Sequence, residues 1–170
     1  MTIPYINFHT HHPVYENEVS LGCEEHGMDR RWEVPLAEQE AAFRCHVSES
    51  EQAGKPLVIH CVKTLEEILR VRKEMQPRQP WIMHGFRGKP QQLQSLLSAG
   101  IYVSFGLHYN KESLVLCPLE MMFLETDDIA APIEPLYKEV AQIKGISEVA
   151  LRKKIWENAN KLFPNLAKNG

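Results

Sequence analysis

Four short apolar runs along the chain each end in residues that bind metals or transfer protons. They lead into His60, into His84, into Glu125-Thr126-Asp127 and, near the start, into His9-Thr10-His11. Short apolar runs bounded by turn residues are typical of buried strands in a parallel sheet. With two further runs they predict six strands, at residues 3–9, 19–23, 57–60, 81–84, 101–105 and 121–126.

Apolar residues at helical spacing lie between these strands. Pro35 and Pro90 mark helix starts, and Thr64-Leu65-Glu66-Glu67 has the sequence of a capping box. From residue 57 onward a strand starts every 20 to 24 residues, which indicates βα units in a parallel sheet. We therefore expect one α/β domain over residues 1–170 with a TIM-barrel-like fold. A closed barrel usually takes about 250 residues, so we expect an incomplete barrel with about six strands.

Composition excludes several classes of protein. Hydrophobic content is 44% and charged content 24%, as in soluble globular domains. No apolar run approaches the roughly 18 to 20 residues of a membrane span, and the first residues lack a signal-peptide pattern, so we expect a cytoplasmic protein without membrane contact. The net charge of −3 argues against a general nucleic-acid binder. The four cysteines show no CxxC spacing and are predicted to be small buried hydrophobic residues.

The carboxyl ends of the strands collect the candidate chemistry, as in barrel enzymes. Four imidazoles and two carboxylates are predicted there: His9, His11, Glu25, His60, His84 and Asp127. This mixture suits two divalent ions such as Zn²⁺, Mn²⁺ or Co²⁺, with Mg²⁺ a further candidate, better than Ca²⁺. Two such ions can activate a water, which indicates metal-assisted hydrolysis. Asp127 is best placed both to hold an ion and to orient the water, so we predict it to be catalytic.

Two alternatives arise from the residues themselves. Taken alone, Glu25 is equally well explained as a solvated carboxylate in a loop. Cys61 directly follows His60, which suggests a nucleophile and its base. Adjacent strand residues point to opposite faces, however, so this pair is not expected to work together.

Six motifs together make the chain resemble the TatD-type metal-dependent hydrolases, TIM-barrel enzymes of the amidohydrolase superfamily. They are Asn7-Phe8-His9-Thr10-His11, Glu25-His26-Gly27-Met28-Asp29, Val58-Ile59-His60, Met83-His84-Gly85-Phe86-Arg87-Gly88, Ser104-Phe105-Gly106 and Leu124-Glu125-Thr126-Asp127. The resemblance implies that one metal is held by His9, His11 and Asp127 and the other by His60 and His84. It makes Glu25 the bridge between them. It also implies hydrolysis of phosphodiester bonds in DNA or of another phosphoester.

The loops that follow the strands carry candidate substrate-binding residues. Arg31, Lys63 and Arg87 would give the mouth of the site a positive charge that attracts a polyanion. Phe86 and Trp32 lie in the same loops and could stack on bases. The alternative for each of these residues is a solvated cation or an aromatic ring of the core.

The chain departs from the family pattern near its start. Asn7 replaces the usual aspartate, which we expect to affect support of the site more than ligation. Two strands of the family pattern are also expected to be absent, because only residues 12–18 separate His11 from the next strand. If that strand formed a hairpin with the first, Glu25 would lie at the wrong end of the sheet. Further alternatives are a deletion from a longer protein or a partner chain that completes the barrel.

These departures leave other functions open. One is a shortened, catalytically impaired TatD relative that acts as a binding or structural protein. Another is a hydrolase of the same superfamily that cleaves amide or ester bonds. The sequence leaves the oligomeric state undecided.

Overall fold

The computed structural model describes residues 2–22 and 24–166. Within that part of the chain, short strands alternate with helices. The strands are β1 (Tyr5–Asn7), β2 (Glu18–Ser20), β3 (His26–Asp29), β4 (Leu57–Val62), β5 (Trp81–Met83), β6 (Tyr102–Phe105) and β7 (Met122–Leu124). The helices are α1 (Leu36–Ala53), α2 (Leu65–Met75), α3 (Pro90–Ser98), α4 (Lys111–Leu116), α5 (Glu134–Lys144) and α6 (Glu148–Leu162).

All paired strands are parallel, as the βα alternation predicts. Five of them form one sheet in the order β3-β4-β5-β6-β7, and β1 pairs with β2. Backbone hydrogen bonds also join the end of β1 to β7, since the Phe8 amide donates to the Leu124 carbonyl at 2.8 Å. The strands therefore curve round in the order β2-β1-β7-β6-β5-β4-β3. Among the described residues no pairing joins β2 to β3, so the barrel is not closed.

The strand count differs from the prediction. A strand was expected at residues 19–23, but the structure has β2 at Glu18–Ser20 and a separate strand β3 at His26–Asp29. The sequence of β3 contains one large apolar residue, Met28, so no apolar run predicts this strand. β3 is formed instead by pairing with β4, in register from His26 opposite Ile59 to Asp29 opposite Val62.

The connection between β1 and β2 is parallel, so the hairpin alternative is wrong. Tyr5 pairs with Glu18 and Asn7 with Ser20. The connection is feasible because β1 ends at Asn7, earlier than expected. Residues 8–17 then form the connection, and ten residues reach up to about 33 Å, whereas a three-residue strand is only about 10 Å long.

Helix α6 packs on β1 and β7, and the core lies between the strands and the helices. The capping-box prediction at Thr64 is wrong, since its hydroxyl donates to the Met28 carbonyl at 2.9 Å and so ties the start of α2 to β3. Of the described cysteines, Cys117 is buried as predicted, Cys61 is half-buried and Cys45 is exposed. Within residues 2–22 and 24–166, no helix has the length and apolar character needed to cross a membrane.

The outer edge of β3 is covered by a side chain from α1. The Asp29 amide donates to Gln39 Oε1 at 2.8 Å, and Gln39 Nε2 donates to the Asp29 carbonyl at 3.1 Å. Gln39 is 5% exposed and also donates to the Val34 carbonyl. An amide side chain thus takes the place of a neighbouring strand at this end of the edge.

Candidate metal centre

The structure brings all six predicted ligands together at one end of the strands. Five of them lie on a strand or within four residues of the end of one: His60 is on β4, His84 directly follows β5, His9 and His11 follow β1, and Asp127 follows β7. Glu25 was expected to follow a strand, but it directly precedes β3. Its Oε1 nevertheless lies 3.6 Å from His60 Nδ1. The short connection between β1 and β2 therefore still allows Glu25 to lie beside the other five predicted ligands.

Gly27 explains how Glu25 reaches His60. Glu25, Gly27 and Asp29 share one face of β3, since strand side chains alternate. A Cβ added to Gly27 would lie 1.7 Å from the carbonyl oxygen of His60, so only glycine permits this approach of β3 to β4. The close approach lets Glu25 and Asp29 contact the His60 ring from either side.

The first cluster, here called the β1–β7 group, consists of His9, His11 and Asp127. His9 Nε2 lies 3.3 Å from His11 Nε2, and each of these atoms lies 3.4 Å from Asp127 Oδ1. Glu25 joins them, with its Oε2 3.1 Å from His9 Nε2. One donor atom from each of these four residues lies within 4.8 Å of every other.

The second cluster, here called the β4–β5 group, consists of His60 and His84. His60 Nδ1 lies 3.2 Å from His84 Nε2, and His84 Nε2 lies 2.5 Å from Glu25 Oε2. The donor atoms of Glu25, His60 and His84 also lie within 4.8 Å of one another. Glu25 therefore contacts both groups. Its Oε2 lies close to His9 of the β1–β7 group and to His84 of the β4–β5 group.

The backbone of Asp127 is held in a left-handed conformation, with φ of 55°. This conformation is uncommon for a residue other than glycine and is characteristic of functional sites. It is held by the segment that follows β1, since the Asp127 amide donates to the His9 carbonyl at 2.9 Å and its carbonyl accepts from the His11 amide at 3.0 Å. Asn7 adds support by bonding the amide and hydroxyl of Thr126, at 3.1 and 2.8 Å.

Two fully buried carboxylates lie behind the β4–β5 group, and sequence reasoning assigned no role to either. Asp29 Oδ2 lies 2.9 Å from His60 Nε2, and Asp29 also holds the Arg31 guanidinium through both oxygens. Glu125 Oε1 lies 3.3 Å from His84 Nδ1, and its Oε2 accepts from the Ser104 hydroxyl at 2.7 Å. A carboxylate behind a ligating histidine fixes its tautomer and orientation. The signal available in the sequence was the spacing of four positions from Glu25 to Asp29, which places both side chains on one face of an extended strand.

A third cluster of donors, His84, Glu125 and Asp127, overlaps the first two. Both oxygens of Glu125 are already engaged, by His84 Nδ1 and by Ser104. Glu125 therefore supports His84 rather than adding a separate site.

The charges in the site depend on one another. Burial by itself would lower the pKa of His9, but contacts with Asp127 and Glu25 outweigh it and raise the pKa to about 9. Burial opposes a charge on His84 in the same way, and Glu125 and Glu25 raise its pKa to about 10. Burial would raise the pKa of Glu25, but His84 and His9 hold it well below its usual range.

The donor set fits divalent metal ions. Glu25 Oε2 is buried and makes no aligned hydrogen bond, although His9 and His84 nitrogens lie 3.1 and 2.5 Å away. The His9 and His84 nitrogens and the Glu25 oxygen thus lie close together without the geometry of hydrogen bonds, as the ligands of a shared metal ion would. Imidazole and carboxylate donors are those that Zn²⁺, Mn²⁺ and Co²⁺ accept.

A cavity of about 560 Å³ opens above the donors and is also lined by the predicted substrate-binding residues Arg31, Lys63, Phe86 and Arg87. Lys63 and Arg87 are exposed and form no ion pair with any described carboxylate. Arg31 is exposed but already paired with Asp29. Phe86 is 7% exposed and packs edge-to-face on Phe105, so its ring lies mainly in the core.

A family model described as TatD related DNase matches residues 15–164. The chain belongs to this family. The resemblance of its motifs to TatD enzymes is thereby confirmed.

Curated relatives show how much of a TatD protein the chain covers. It is 29% identical over 126 residues to the 3'-5' ssDNA/RNA exonuclease TatD of Edwardsiella piscicida, an alignment that covers 68% of this chain and 48% of that protein. It is 24% identical over 164 residues to an uncharacterized metal-dependent hydrolase of Haemophilus influenzae, covering 82% and 63%. The chain therefore spans about half to two thirds of the length of these two relatives.

Solved structures of TatD proteins share the fold. The TatD homologue YJJV from Escherichia coli k12 superposes with a TM-score of 0.75 at 16% identity, covering 88% of this chain and 65% of that one. A TatD family hydrolase from Entamoeba histolytica gives 0.70 at 15% identity, covering 85% and 64%. The predicted α/β, TIM-barrel-like class is confirmed, with the barrel open between β2 and β3.

Proposed function

We propose that the chain is a metal-dependent hydrolase that cleaves phosphodiester bonds of DNA with two divalent ions. The observation that carries the proposal is the pair of donor groups that share Glu25. His9, His11 and Asp127 would hold one ion, His60 and His84 the other, with Glu25 between them. Bound ions in such a pair lower the pKa of a water and offset charge on the phosphate oxygens.

Asp127 is the residue best suited to move the proton. Its Oδ1 lies 3.4 Å from both His9 Nε2 and His11 Nε2, so a water held among these ligands would lie within reach of the carboxylate. The contact with His9 lowers the pKa of the Asp127 carboxyl, which keeps the group in the ionised form that a base requires. Lys63 and Arg87 line the same cavity with exposed charges and can attract a phosphodiester.

Single-stranded DNA is the substrate that we propose. The Edwardsiella piscicida relative is named as a 3'-5' exonuclease of single-stranded DNA and RNA, which supports a nucleic acid. The alternative, a catalytically impaired relative that only binds or scaffolds, would hold one ion or none. An amide or ester hydrolase would hold two ions but leave DNA intact.

The test combines metal analysis with a nuclease assay. We expect about two ions per chain after repletion and cleavage of single-stranded DNA with Mg²⁺ or Mn²⁺. Asp127→Asn should lower kcat by about 10²- to 10⁴-fold, as expected for loss of a proton-transfer group. The matched control is Asp128→Asn, the exposed neighbouring aspartate, which should retain most activity. Fewer than two ions, or full activity in Asp127→Asn, would contradict the proposal.

A further inference from the structure

Trp32 lies face to face with His60, a predicted ligand that lines the cavity of the candidate site. The two ring centroids are 5.3 Å apart and the planes differ by 6°. The Trp32 side chain is 47% exposed, whereas Trp81 is fully buried. One side of the indole therefore rests on a predicted metal ligand, and much of the remaining surface is open to solvent.

Hydrogen bonds within the turn hold the backbone at Trp32. Its amide donates to the Asp29 carbonyl at 3.1 Å, which closes the turn that follows β3. Asp29 also bonds the Arg31 amide at 2.8 Å and contacts His60 Nε2 at 2.9 Å. The same carboxylate thus positions the turn and the imidazole below the indole. A rigid ring loses little conformational entropy when a ligand binds to it.

The surroundings of Trp32 suit a nucleic-acid strand. Arg31 and Lys63 line the cavity on the side of His60, and Arg87 lines it next to His84. Exposed cations that follow a phosphate backbone, combined with an aromatic face, are the usual means of binding single strands. An exposed indole without these charges would serve only to cover His60.

We infer that Trp32 is a stacking platform for one unpaired base of the DNA strand whose phosphodiester lies at the metal centre. This inference rests on the proposed function and adds a residue that selects single strands. A base in a duplex is already stacked and paired, so it reaches the indole only after separation of the strands. Every base has a π face, so the platform tolerates any sequence.

The experiment measures binding of an internally labelled single-stranded oligonucleotide by fluorescence anisotropy. It compares this oligonucleotide with one that carries abasic residues at the last three positions of both ends. Trp32, Trp32→Phe and Trp32→Leu proteins are compared in the Asp127→Asn background, so that the strand is not consumed. Their metal contents are measured and matched, because Asp127 is itself a proposed ligand. Leucine keeps an apolar cover on His60 without an aromatic face.

With Trp32 present, we expect the intact strand to bind roughly 10-fold or more tightly than the abasic one. Trp32→Leu should bind both about equally, and Trp32→Phe should keep most of the difference. Quenching of tryptophan emission by the intact strand should disappear in Trp32→Phe. A full difference in Trp32→Leu would overturn the stacking role alone. Absence of oligonucleotide binding by all folded proteins, with no nuclease activity in the unmutated chain, would overturn the proposed function as well.

Discussion

The two halves of the candidate metal centre are built differently. In the β4–β5 group, the second ring nitrogen of each histidine contacts a fully buried carboxylate, Asp29 for His60 and Glu125 for His84. In the β1–β7 group, no described carboxylate contacts the second ring nitrogen of His9 or His11, and the His11 side chain is 43% exposed.

This difference bears on how each half would hold an ion. Supporting carboxylates fix the orientation of a ligand and raise its basicity. The β4–β5 group is therefore preorganised, whereas the β1–β7 group relies on the backbone bonds that hold Asp127. We expect the ion of the β4–β5 group to bind more tightly.

The largest effect should come from removing a ligand on each side. We expect a chelator to remove the two ions in separate steps, with the β1–β7 ion leaving first. His11→Ala should abolish the weaker step, and His60→Ala should abolish the tighter one. In each case we expect the metal affinity to fall by more than about 100-fold, the upper range for loss of a supporting partner. Metal analysis during competition with a chromophoric chelator measures both steps.

The control for these variants is His12→Ala. His12 Nε2 contacts the Asp128 carbonyl at 2.7 Å and belongs to neither group, so both steps should persist. Loss of the weaker step in His60→Ala would reverse the comparison.

A smaller effect should follow from removing support. Asp29→Asn keeps the shape of the residue but loses the charge that holds the His60 ring. We expect the tighter step to weaken by about 10- to 100-fold and the weaker step to change little. Ser104→Ala, which removes a hydrogen bond one residue further from the ligand, should have a smaller effect. Equal weakening of both steps by Asp29→Asn would show that the halves share their support.

The smallest effect concerns protons, and it should be common to both halves. In the metal-free protein the pKa values of His9 and His84 are raised to about 9 and about 10, so both rings are charged at pH 7. Ligation needs neutral imidazoles, so metal binding should release protons and strengthen as the pH rises. The raised pKa values also stabilise the metal-free protein. This contribution is fully present below about pH 6.5 and falls progressively as the pH rises, until it is lost near pH 9 for His9 and near pH 10 for His84.

Calorimetry in buffers of different ionisation enthalpy counts the released protons, and melting of the metal-free protein follows the stability. Binding without proton release at pH 7 would contradict the assignment. A melting temperature that rises from pH 7 to pH 10 would contradict the direction of the pKa shifts.

The sequence predicted the regular βα part of the molecule well. Apolar runs led directly to His60 and His84, and the connections after residue 57 were long enough to be read as βα units. β3 was missed because its stability comes from pairing with β4 across Gly27, a contact between distant residues. The role of Asp29 was missed for the same reason, since its charge acts on a ring 31 positions away.

The bond between Gln39 and the end of β3 has a consequence for self-association. A strand edge with free amide and carbonyl groups is a template on which other chains add strands and aggregate. Gln39 already occupies both backbone groups of Asp29. A strand from another molecule could add at this end of β3 only by displacing the buried Gln39 amide. The bond therefore opposes polymerisation of the open barrel through this edge.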